Sequence, residues 1–352
     1  MQAGRGATMN TGPWEPLGPW QGEPRSLMLA PMAGVTDLPF RLLARECGAS
    51  LAITEFTNST ALTREATTSW RRMETHQMED PFIPQIFGGD LNDMVTAAGL
   101  LEPQASIIDL NFGCPAPKVT RVCAGAALMG EPDMLLDIVR AVSDRVDIPV
   151  TAKMRLGTGQ GPDTVLDLVD SLPEAGAQRI CIHGRTLRQR YSGVADWDTI
   201  AEAVERSSVP VIANGDVVDA ASAAACLQHT AAAGVMIGRG AIGRPQVFGE
   251  IRVGLGWMEE ADLPWVAADP ETWASSDENE RAFRTREWCW SRYIELAEAT
   301  TGLRAKWMQR HAVAFTKGLP GGRAVRAVMH DQPDEHAFAA SVTKFLKGAG
   351  AE

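Results

Sequence analysis

The chain contains 352 residues, of which 45% are hydrophobic and 22% are charged, and its formal net charge at pH 7 is −11. This length suits one large domain with a smaller domain beside it. No apolar run is long enough to span a bilayer, which indicates a soluble protein, and the acidic balance argues against broad, nonspecific binding to nucleic acids.

The N-terminal segment 1–26 is rich in glycine and proline and lacks the apolar core of a secretory signal. It is predicted to be a flexible segment of a cytoplasmic protein, with Met1 and Met9 both open as the start. The six cysteines are scattered along the chain and form no C-x-x-C pair. This pattern argues against zinc, an iron–sulfur cluster or a disulfide scaffold, and it favours reduced thiols.

Apolar segments of strand length alternate with helix-length stretches through residues 27–255. The predicted strands are Leu27–Pro31, Leu51–Thr54, Pro84–Phe87, Ser106–Asn111, Val150–Met154, Arg179–His183, Val209–Asn214 and Gly234–Gly238. The clearest helical patterns are Asp133–Arg145, Thr164–Ala175, Asp196–Arg206 and Ala220–His229. This alternation predicts parallel βαβ units, and eight of them close into an α/β fold of the (β/α)8 TIM barrel type.

Polar and glycine residues collect at the carboxyl ends of these strands. They are Pro31-Met32-Ala33, Glu55, Gln85, Asn111, Lys153, His183, Asn214-Gly215-Asp216 and Gly238-Arg239. A packed barrel interior would not require this set of residues, whereas a barrel mouth that binds a polar ligand would. The sequence therefore predicts a ligand site at the carboxyl end of the barrel.

Cys114 stands directly after the fourth predicted strand, in the segment IIDLNFGCPAPKVTRVCAGAAL (107–128). Gly113 lets the backbone approach a ligand closely, and Pro115 stiffens the turn behind the thiol. A thiol at this position can serve as an acid, a nucleophile or a metal ligand. Taken alone, a single cysteine is more often an ordinary buried side chain.

The loops after the last two predicted strands read ANGD (213–216) and IGRGAIGRP (237–245). They offer bare backbone amides together with Arg239, and this combination predicts a phosphate site. Lys153 ends the fifth strand, where packing explains a lysine poorly, although a lysine that extends to solvent at the barrel rim is the alternative. His183 in IHGRT is either a ligand contact or a structural histidine.

The βα alternation stops after about Leu255. Trp290, Tyr293, Ile294 and Ala297 are spaced as on one face of a helix, which predicts a small C-terminal all-helical domain over 285–347. The stretch 259–280 carries eight acids and no lysine or arginine. It is predicted to be part of an exposed acidic linker or insertion over 256–284.

A basic stripe lies between Leu303 and Arg326, where six bases occur without an acid. The bases are Arg304, Lys306, Arg310, Lys317, Arg323 and Arg326. A local stripe of this kind on an acidic body can bind phosphates, and its alternative is a solvated helix face.

Taken together, these motifs resemble the bacterial tRNA-dihydrouridine synthases, and most closely their B-type branch. The matching segments are APMAGVTDLPFR (30–41), PQIFGGD (84–90), DLNFGCPAPKV (109–119), GAAL (125–128), TAKMRLG (151–157), IHGRT (182–186), PVIANGD (210–216), VMIGRGAIGRP (235–245) and RHAVAFTKGLPG (310–321). The resemblance covers roughly residues 27–345. Any single piece would be weak, but NFGCP, KMR, HGRT and IGRGA in this order form a specific combination.

The resemblance implies an FMN-dependent enzyme that consumes NADPH, with NADH as the alternative reductant. It would reduce the C5–C6 double bond of specific uridines in tRNA to give 5,6-dihydrouridine. Hydride would pass from flavin N5 to C6, and Cys114 would donate the proton to C5. This role suits a thiol that is mostly protonated at neutral pH. No metal, membrane or obligate protein partner is indicated.

The resemblance also assigns site residues. The cofactor-binding positions are Pro31, Met32, Ala33, Gln85, Lys153, His183, Asn214, Gly215, Asp216, Gly238 and Arg239. Asn111 and Arg185 match residues that hold the target uracil, and Arg155 is a candidate for a nearby phosphate. In the helical domain, Lys306, Arg310 and Lys317 are the candidate tRNA contacts.

Two other classes of function stay open. One is an FMN barrel that acts on a small molecule, as dihydroorotate or enoate oxidoreductases do, although such enzymes lack a basic helical tail. The other is a tRNA-binding protein that has lost its redox chemistry, against which intact Cys114, Lys153 and Arg239 argue.

Overall fold

Nine parallel strands form one sheet in the computed structural model, which describes residues 25–120 and 123–348. The strands are β1 (Ser26–Leu29), β2 (Leu51–Ala52), β3 (Thr57–Asn58), β4 (Gln85–Phe87), β5 (Ile108–Phe112), β6 (Val150–Arg155), β7 (Ala177–His183), β8 (Val211–Asn214) and β9 (Gly234–Ile237). All eight predicted strand segments contain a strand. The N-terminal segment 1–26, predicted to be flexible, lies outside the described residues except for Arg25 and Ser26.

The strand order is β2-β1-β9-β8-β7-β6-β5-β4-β3. The second predicted strand segment, Leu51–Thr54, contains β2, which pairs with β1, and β3 follows it in the chain and pairs with β4. Between them, the Thr54 N–H donates to the Ile83 carbonyl (3.1 Å). The sheet therefore curls into the predicted (β/α)8 barrel, with its second strand split in two.

Ten helices accompany the strands in the described part of residues 25–255. They are α1 (Leu38–Glu46), α2 (Ser59–Thr63), α3 (Thr67–Trp70), α4 (Leu91–Leu101), α5 (Pro117–Thr120), α6 (Pro132–Arg145), α7 (Val165–Ser171), α8 (Trp197–Arg206), α9 (Ala220–Thr230) and α10 (Val247–Gly254). The four clearest helical patterns in the sequence correspond to α6, α7, α8 and α9, which confirms those predictions. Asp90, Asp196 and Asp219 cap α4, α8 and α9, since each carboxylate accepts the backbone N–H of the third helical residue.

The strands are apolar because both of their faces are buried. Their outer residues pack against the helices, while Met28, Ile53, Ile107 and Met236 form part of a separate cluster inside the barrel. Toward the carboxyl ends, the inward positions become polar. The apolar interior thus ends below the level at which the predicted site residues begin.

The C-terminal part is helical, as predicted. It contains α11 (Pro264–Ala267), α12 (Pro270–Ser275), α13 (Glu278–Ala299), α14 (Ala305–Phe315), α15 (Gly322–Val328) and α16 (Glu335–Gly348). Helix α13 begins with a capping box between Asp277 and Glu280, and it crosses the boundary expected at residue 285. Trp290 and Tyr293 on α13 are buried against the neighbouring elements.

The acidic segment 259–280, predicted to be part of an exposed linker or insertion, is largely helical. It contains α11, α12 and the start of α13, and Leu263, Trp265 and Val266 are buried. Its acids are exposed except for Glu280, which is half-buried. The alternation of exposed acids with buried apolar residues explains why charge counting alone predicted an exposed stretch.

Polar contacts join the helical part to the barrel. Asp37, which precedes α1, accepts hydrogen bonds from the Tyr293 hydroxyl (2.8 Å) and from His311 Nε2 (3.0 Å). Arg292 on α13 forms a two-pronged ion pair with Glu46 at 2.7 and 2.8 Å. The loop Pro31–Asp37 is therefore anchored at its end by the helical part.

No helix in the described ranges is both long enough and apolar enough to cross a membrane. The same residues contain no group of three or more His, Cys, Asp and Glu side chains arranged to hold a metal ion.

Candidate active site

A cavity of about 900 Å³ opens at the carboxyl ends of the barrel strands. Its volume falls within the range of about 300–1,000 Å³ that is usual for small-molecule and cofactor sites. The predicted site residues that line it are Pro31, Met32, Ala33, Asn111, Cys114, Lys153, Arg155, His183, Asn214, Gly215, Asp216, Gly238 and Arg239. Glu55, Gln85 and Arg185 are the predicted barrel residues that do not line it.

Cys114 lies in the loop after β5 and is 6% exposed. Its backbone N–H donates to Asn111 Oδ1 (2.9 Å), and its carbonyl accepts the N–H of Ala126 (3.1 Å). Gly125 has a φ of +58°, and a side chain there would press on the Cys114 carbonyl, so the chain 125–126 packs closely behind the thiol. These contacts fix the backbone that carries the thiol.

Burial raises the pKa of the Cys114 thiol above its ordinary value, and the Ala116 N–H, Arg155 and nearby lysines only partly oppose this effect. The thiol is therefore protonated at neutral pH. A protonated thiol is a poor nucleophile and a competent proton donor. Of the three roles open to this cysteine, the site favours the acid.

Lys153, at the inner face of β6, donates from Nζ to Asn214 Oδ1 (2.9 Å), and Asn214 in turn donates to the Met236 carbonyl (2.7 Å). Burial lowers the pKa of Lys153. The lysine is thus held by a defined partner inside the cavity and does not extend to solvent at the rim. This geometry places an ammonium group where a ligand in the cavity would meet it.

His183, at the end of β7, also lines the cavity. Burial, followed by the charges of Lys153, Arg155, Arg185 and Arg239, lowers the pKa of His183 to about 2. The imidazole is therefore neutral at physiological pH. It can offer one hydrogen-bond donor and one acceptor, but no positive charge.

Arg185 is 1% exposed, and its guanidinium group forms hydrogen bonds with other groups of the protein. Its Nη2 donates to both oxygens of Asp216 (2.8 and 2.7 Å) and to the Gly193 carbonyl (2.6 Å), and its Nε donates to the Ser192 carbonyl (3.1 Å). Arg185 therefore shapes the loop after β7 and the position of Asp216. The structure does not bring it to the cavity surface.

Arg239 is 53% exposed, and its Nη2 lies 3.2 Å from Asp216 Oδ1. Arg244 lines the same side of the cavity. Gly238 and Gly240, on either side of Arg239, also line the cavity. Two guanidinium groups at this part of the wall suit an anionic group of a ligand.

Tyr191 is a lining residue that the sequence reasoning missed. Its ring is 54% exposed and lies between two cations, 5.6 Å from Arg155 Cζ and 5.1 Å from Arg239 Cζ. Burial lowers the pKa of Arg155 to about 10, and Arg155 also donates to the Gly113 carbonyl (2.7 Å). The aromatic residue within the basic run RTLRQRY (185–191) was the available sequence signal.

Gln85 is wholly buried and is not among the residues that line the cavity. Its amide contacts Asp109 and Asn111, at 2.6 and 2.7 Å. Gln85 is therefore linked by a direct hydrogen bond to Asn111, which does line the cavity.

Two of the six bases in the basic stripe bond to other protein groups, and the other four are exposed. Arg304 pairs with Glu74 (2.8 Å), and Arg326 donates to the Thr316 carbonyl (2.9 Å), whereas Lys306, Arg310, Lys317 and Arg323 are exposed. Lys306, Arg310 and Arg326 line a second cavity of about 370 Å³. The Arg310 guanidinium lies against Gly34, so the stripe reaches the loop after β1.

The chain matches the family model described as "Dihydrouridine synthase (Dus)" over residues 28–348. It is 37% identical over 321 residues to tRNA-dihydrouridine synthase B of Pseudomonas syringae pv. tomato, covering 91% of each chain. It is 42% identical over 240 residues to a probable tRNA-dihydrouridine synthase of Rhodobacter capsulatus, covering 68% of this chain and 74% of that one. Over 229 residues it is 42% identical to tRNA-dihydrouridine synthase B of Escherichia coli, covering 64% and 71%.

Proposed function

The chain belongs to the dihydrouridine synthase family, and we propose that it reduces uridines of tRNA to 5,6-dihydrouridine with FMN as cofactor and NADPH as reductant. The observation that carries this proposal is a protonated cysteine at the wall of a cofactor-sized cavity. The B-type relatives, which match over most of the chain, support tRNA as the substrate.

The residues present fit FMN. Pro31, Met32 and Ala33 form one wall of the cavity, suited to a flat ring. In the adjacent loop after β9, Arg239 and Arg244 suit a phosphate, since guanidinium groups form charge-assisted hydrogen bonds with such groups. The ammonium of Lys153 would bind the pyrimidine side of the ring, where it would stabilise negative charge.

Bound FMN, once reduced by NADPH, would supply hydride to C6 of the target uracil. Cys114 would donate its proton to C5, and the resulting thiolate would lie close to the positive charges of Arg155 and Lys153, which both favour it. Asn111 would contact the uracil, and the neutral His183 would face the ring system without adding charge. In this arrangement the protein holds the two partners and supplies the proton.

The proposal is tested with Cys114→Ala and the matched control Cys123→Ala, because Cys123 is exposed and does not line the cavity. The purified protein should carry flavin absorption, and Cys114→Ala should retain it and should still oxidise NADPH. Dihydrouridine formation in unmodified tRNA should fall roughly 10² to 10⁴-fold, the usual loss when a general acid is removed. Cys123→Ala should behave as the wild type.

Near-normal dihydrouridine formation by Cys114→Ala would remove this cysteine from the mechanism. A wild-type protein that binds no flavin would favour a tRNA-binding protein without redox chemistry. Flavin reduction with no turnover of tRNA would favour an oxidoreductase of small molecules.

A further inference from the structure

Three buried side chains connect the interior of the barrel to the loop that carries Cys114. Asp109 Oδ2 accepts from Gln85 Nε2 (2.6 Å), and Gln85 Oε1 accepts from Asn111 Nδ2 (2.7 Å). Asn111 Oδ1 then accepts the backbone N–H groups of Gly113 (3.0 Å) and Cys114 (2.9 Å). Exposed fractions along this chain of hydrogen bonds are 2% for Asp109, 0% for Gln85 and 5% for Asn111.

The direction of each bond in this chain is set by its two ends. An ionised carboxylate only accepts hydrogen bonds, and a backbone N–H only donates them. Gln85 must therefore turn its NH2 group toward Asp109 and its oxygen toward Asn111. Asn111 must turn its NH2 group toward Gln85 and its oxygen toward the loop. Reversing either amide would place two donors or two acceptors face to face, without water to relieve the mismatch.

Asp109 is also held from its other side. Thr151, its neighbour in register on β6, donates from its hydroxyl to Asp109 Oδ1, and Arg179 follows in register on β7. Burial raises the pKa of Asp109, while the Thr151 and Gln85 hydrogen bonds and the charge of Arg179 lower it. A buried carboxylate destabilises a fold unless its hydrogen bonds are formed. Here one of those bonds starts the chain that ends at Cys114.

We propose that Asp109 is a positioning residue for uracil reduction, because it orients Gln85 and Asn111 and thereby fixes the backbone that places the Cys114 thiol. The proposal rests on the function proposed above. It also predicts what Asn111 offers a ligand. Its oxygen and one of its N–H groups are already used within the protein, so the remaining N–H of this cavity-lining residue is left to donate to an acceptor atom of a ligand.

The test removes one link and then restores its hydrogen bonds in another form. Gln85→Leu removes both hydrogen bonds of the central link and breaks the chain at Asp109. The double variant Gln85→Glu/Asp109→Asn moves the carboxylate one link along and matches every donor with an acceptor again. Asp109→Asn alone keeps an acceptor oxygen for Gln85 and serves as the conservative control.

Two half-reactions are measured in each folded, flavin-loaded variant: flavin reduction by NADPH, and conversion of uridine in unmodified tRNA by the prereduced enzyme. For Gln85→Leu, we expect the second rate to fall roughly tenfold to hundredfold, as when a reacting group is displaced by about 1 Å. The first rate and the KM for tRNA should not change. Asp109→Asn and the double variant should both return within about threefold of the wild-type rate, since their hydrogen bonds remain matched.

Failure of the double variant to recover would overturn the proposal, and so would equal losses in both half-reactions, which would assign Gln85 to the cofactor instead. A second variant, Asp109→Leu/Arg179→Met, removes both buried charges together, a change that is often neutral for stability. It should fold and bind flavin but lose the uridine step, and full activity in it would equally refute the role of Asp109. A wild-type protein that forms no dihydrouridine would refute the proposed function itself, before any variant is compared.

Discussion

The exposed bases of the helical part provide a quantitative test of tRNA docking. Of the six bases in the stripe, Arg304 forms an ion pair with Glu74, and Arg326 donates a hydrogen bond to the Thr316 carbonyl. We therefore choose Lys306, Arg310 and Lys317, whose exposed side chains are available to phosphates, and replace them together by alanine. The variant should bind tRNA more weakly while its flavin spectrum and its oxidation of NADPH stay unchanged.

The expected magnitude follows from counterion release. Each phosphate contact contributes roughly 0.7 to 0.9 units to the slope of log K against log salt, so three lost contacts should flatten the slope by about two to three units. Between 50 and 200 mM salt, wild-type affinity should therefore fall roughly 20- to 40-fold more than the affinity of the triple variant. Phosphate contacts position the substrate and read no bases, so the reduced uridine should stay the same.

The assay is fluorescence anisotropy of labelled, unmodified tRNA over a salt series. Because Arg310 lies against Gly34 in the loop that lines the cavity, Lys306→Ala/Lys317→Ala is measured alongside and should show two thirds of the slope change of the triple variant. Arg140→Ala, on the outer face of α6 and 54% exposed, controls for the removal of charge alone. Wild-type affinity and slope in the triple variant would refute the docking surface. This result would favour an oxidoreductase that acts on small molecules.

Arg239→Ala should weaken FMN retention by tenfold or more, because a charge-assisted hydrogen bond contributes roughly 1.5–3 kcal/mol, and flavin occupancy after dilution and dialysis measures this. Full occupancy in that variant would contradict the phosphate assignment, with Arg140→Ala again as the control. The pH profile of uridine reduction tests the acid. Since burial raises the pKa of Cys114 above that of a free thiol, the protonated form persists through neutral pH, and the rate should decline only at pH values more alkaline than those at which a free thiol ionises. A decline centred near neutrality would point to another proton donor.

The strands were predictable because segments buried on both faces are continuously apolar, whatever their neighbours are. The split of the second strand could not be predicted from the sequence, because it depends on a tertiary contact between Thr54 and Gln85. The Thr54 hydroxyl accepts the Gln85 N–H (3.0 Å), in place of the backbone carbonyl that a regular ladder would use. Likewise, Leu263 and Trp265 become buried only because Gly249 on α10 leaves room for them.

Residues at strand ends were predicted together as a site because parallel strands bring their carboxyl ends to one face of the barrel. Sequence position does not reveal how deeply a side chain is buried, and Gln85, which was predicted to bind the cofactor, is wholly buried and does not line the cavity. Nor does it reveal where a loop folds back. Arg185 was assigned to the substrate, but the carbonyls of Ser192 and Gly193 and the carboxylate of Asp216 surround its guanidinium.

The anchoring of Asp37 by Tyr293 and His311 bears on how this enzyme can be engineered. The helical part looks like an exchangeable module, yet it supplies two of the groups that hold the end of the cavity-lining loop. A chimera that takes residues 278–348 from a relative must therefore bring a hydroxyl and an imidazole to Asp37, or its loop will lose its anchor. We expect grafts lacking this pair to lose flavin on dialysis before they show any change in which uridine they reduce.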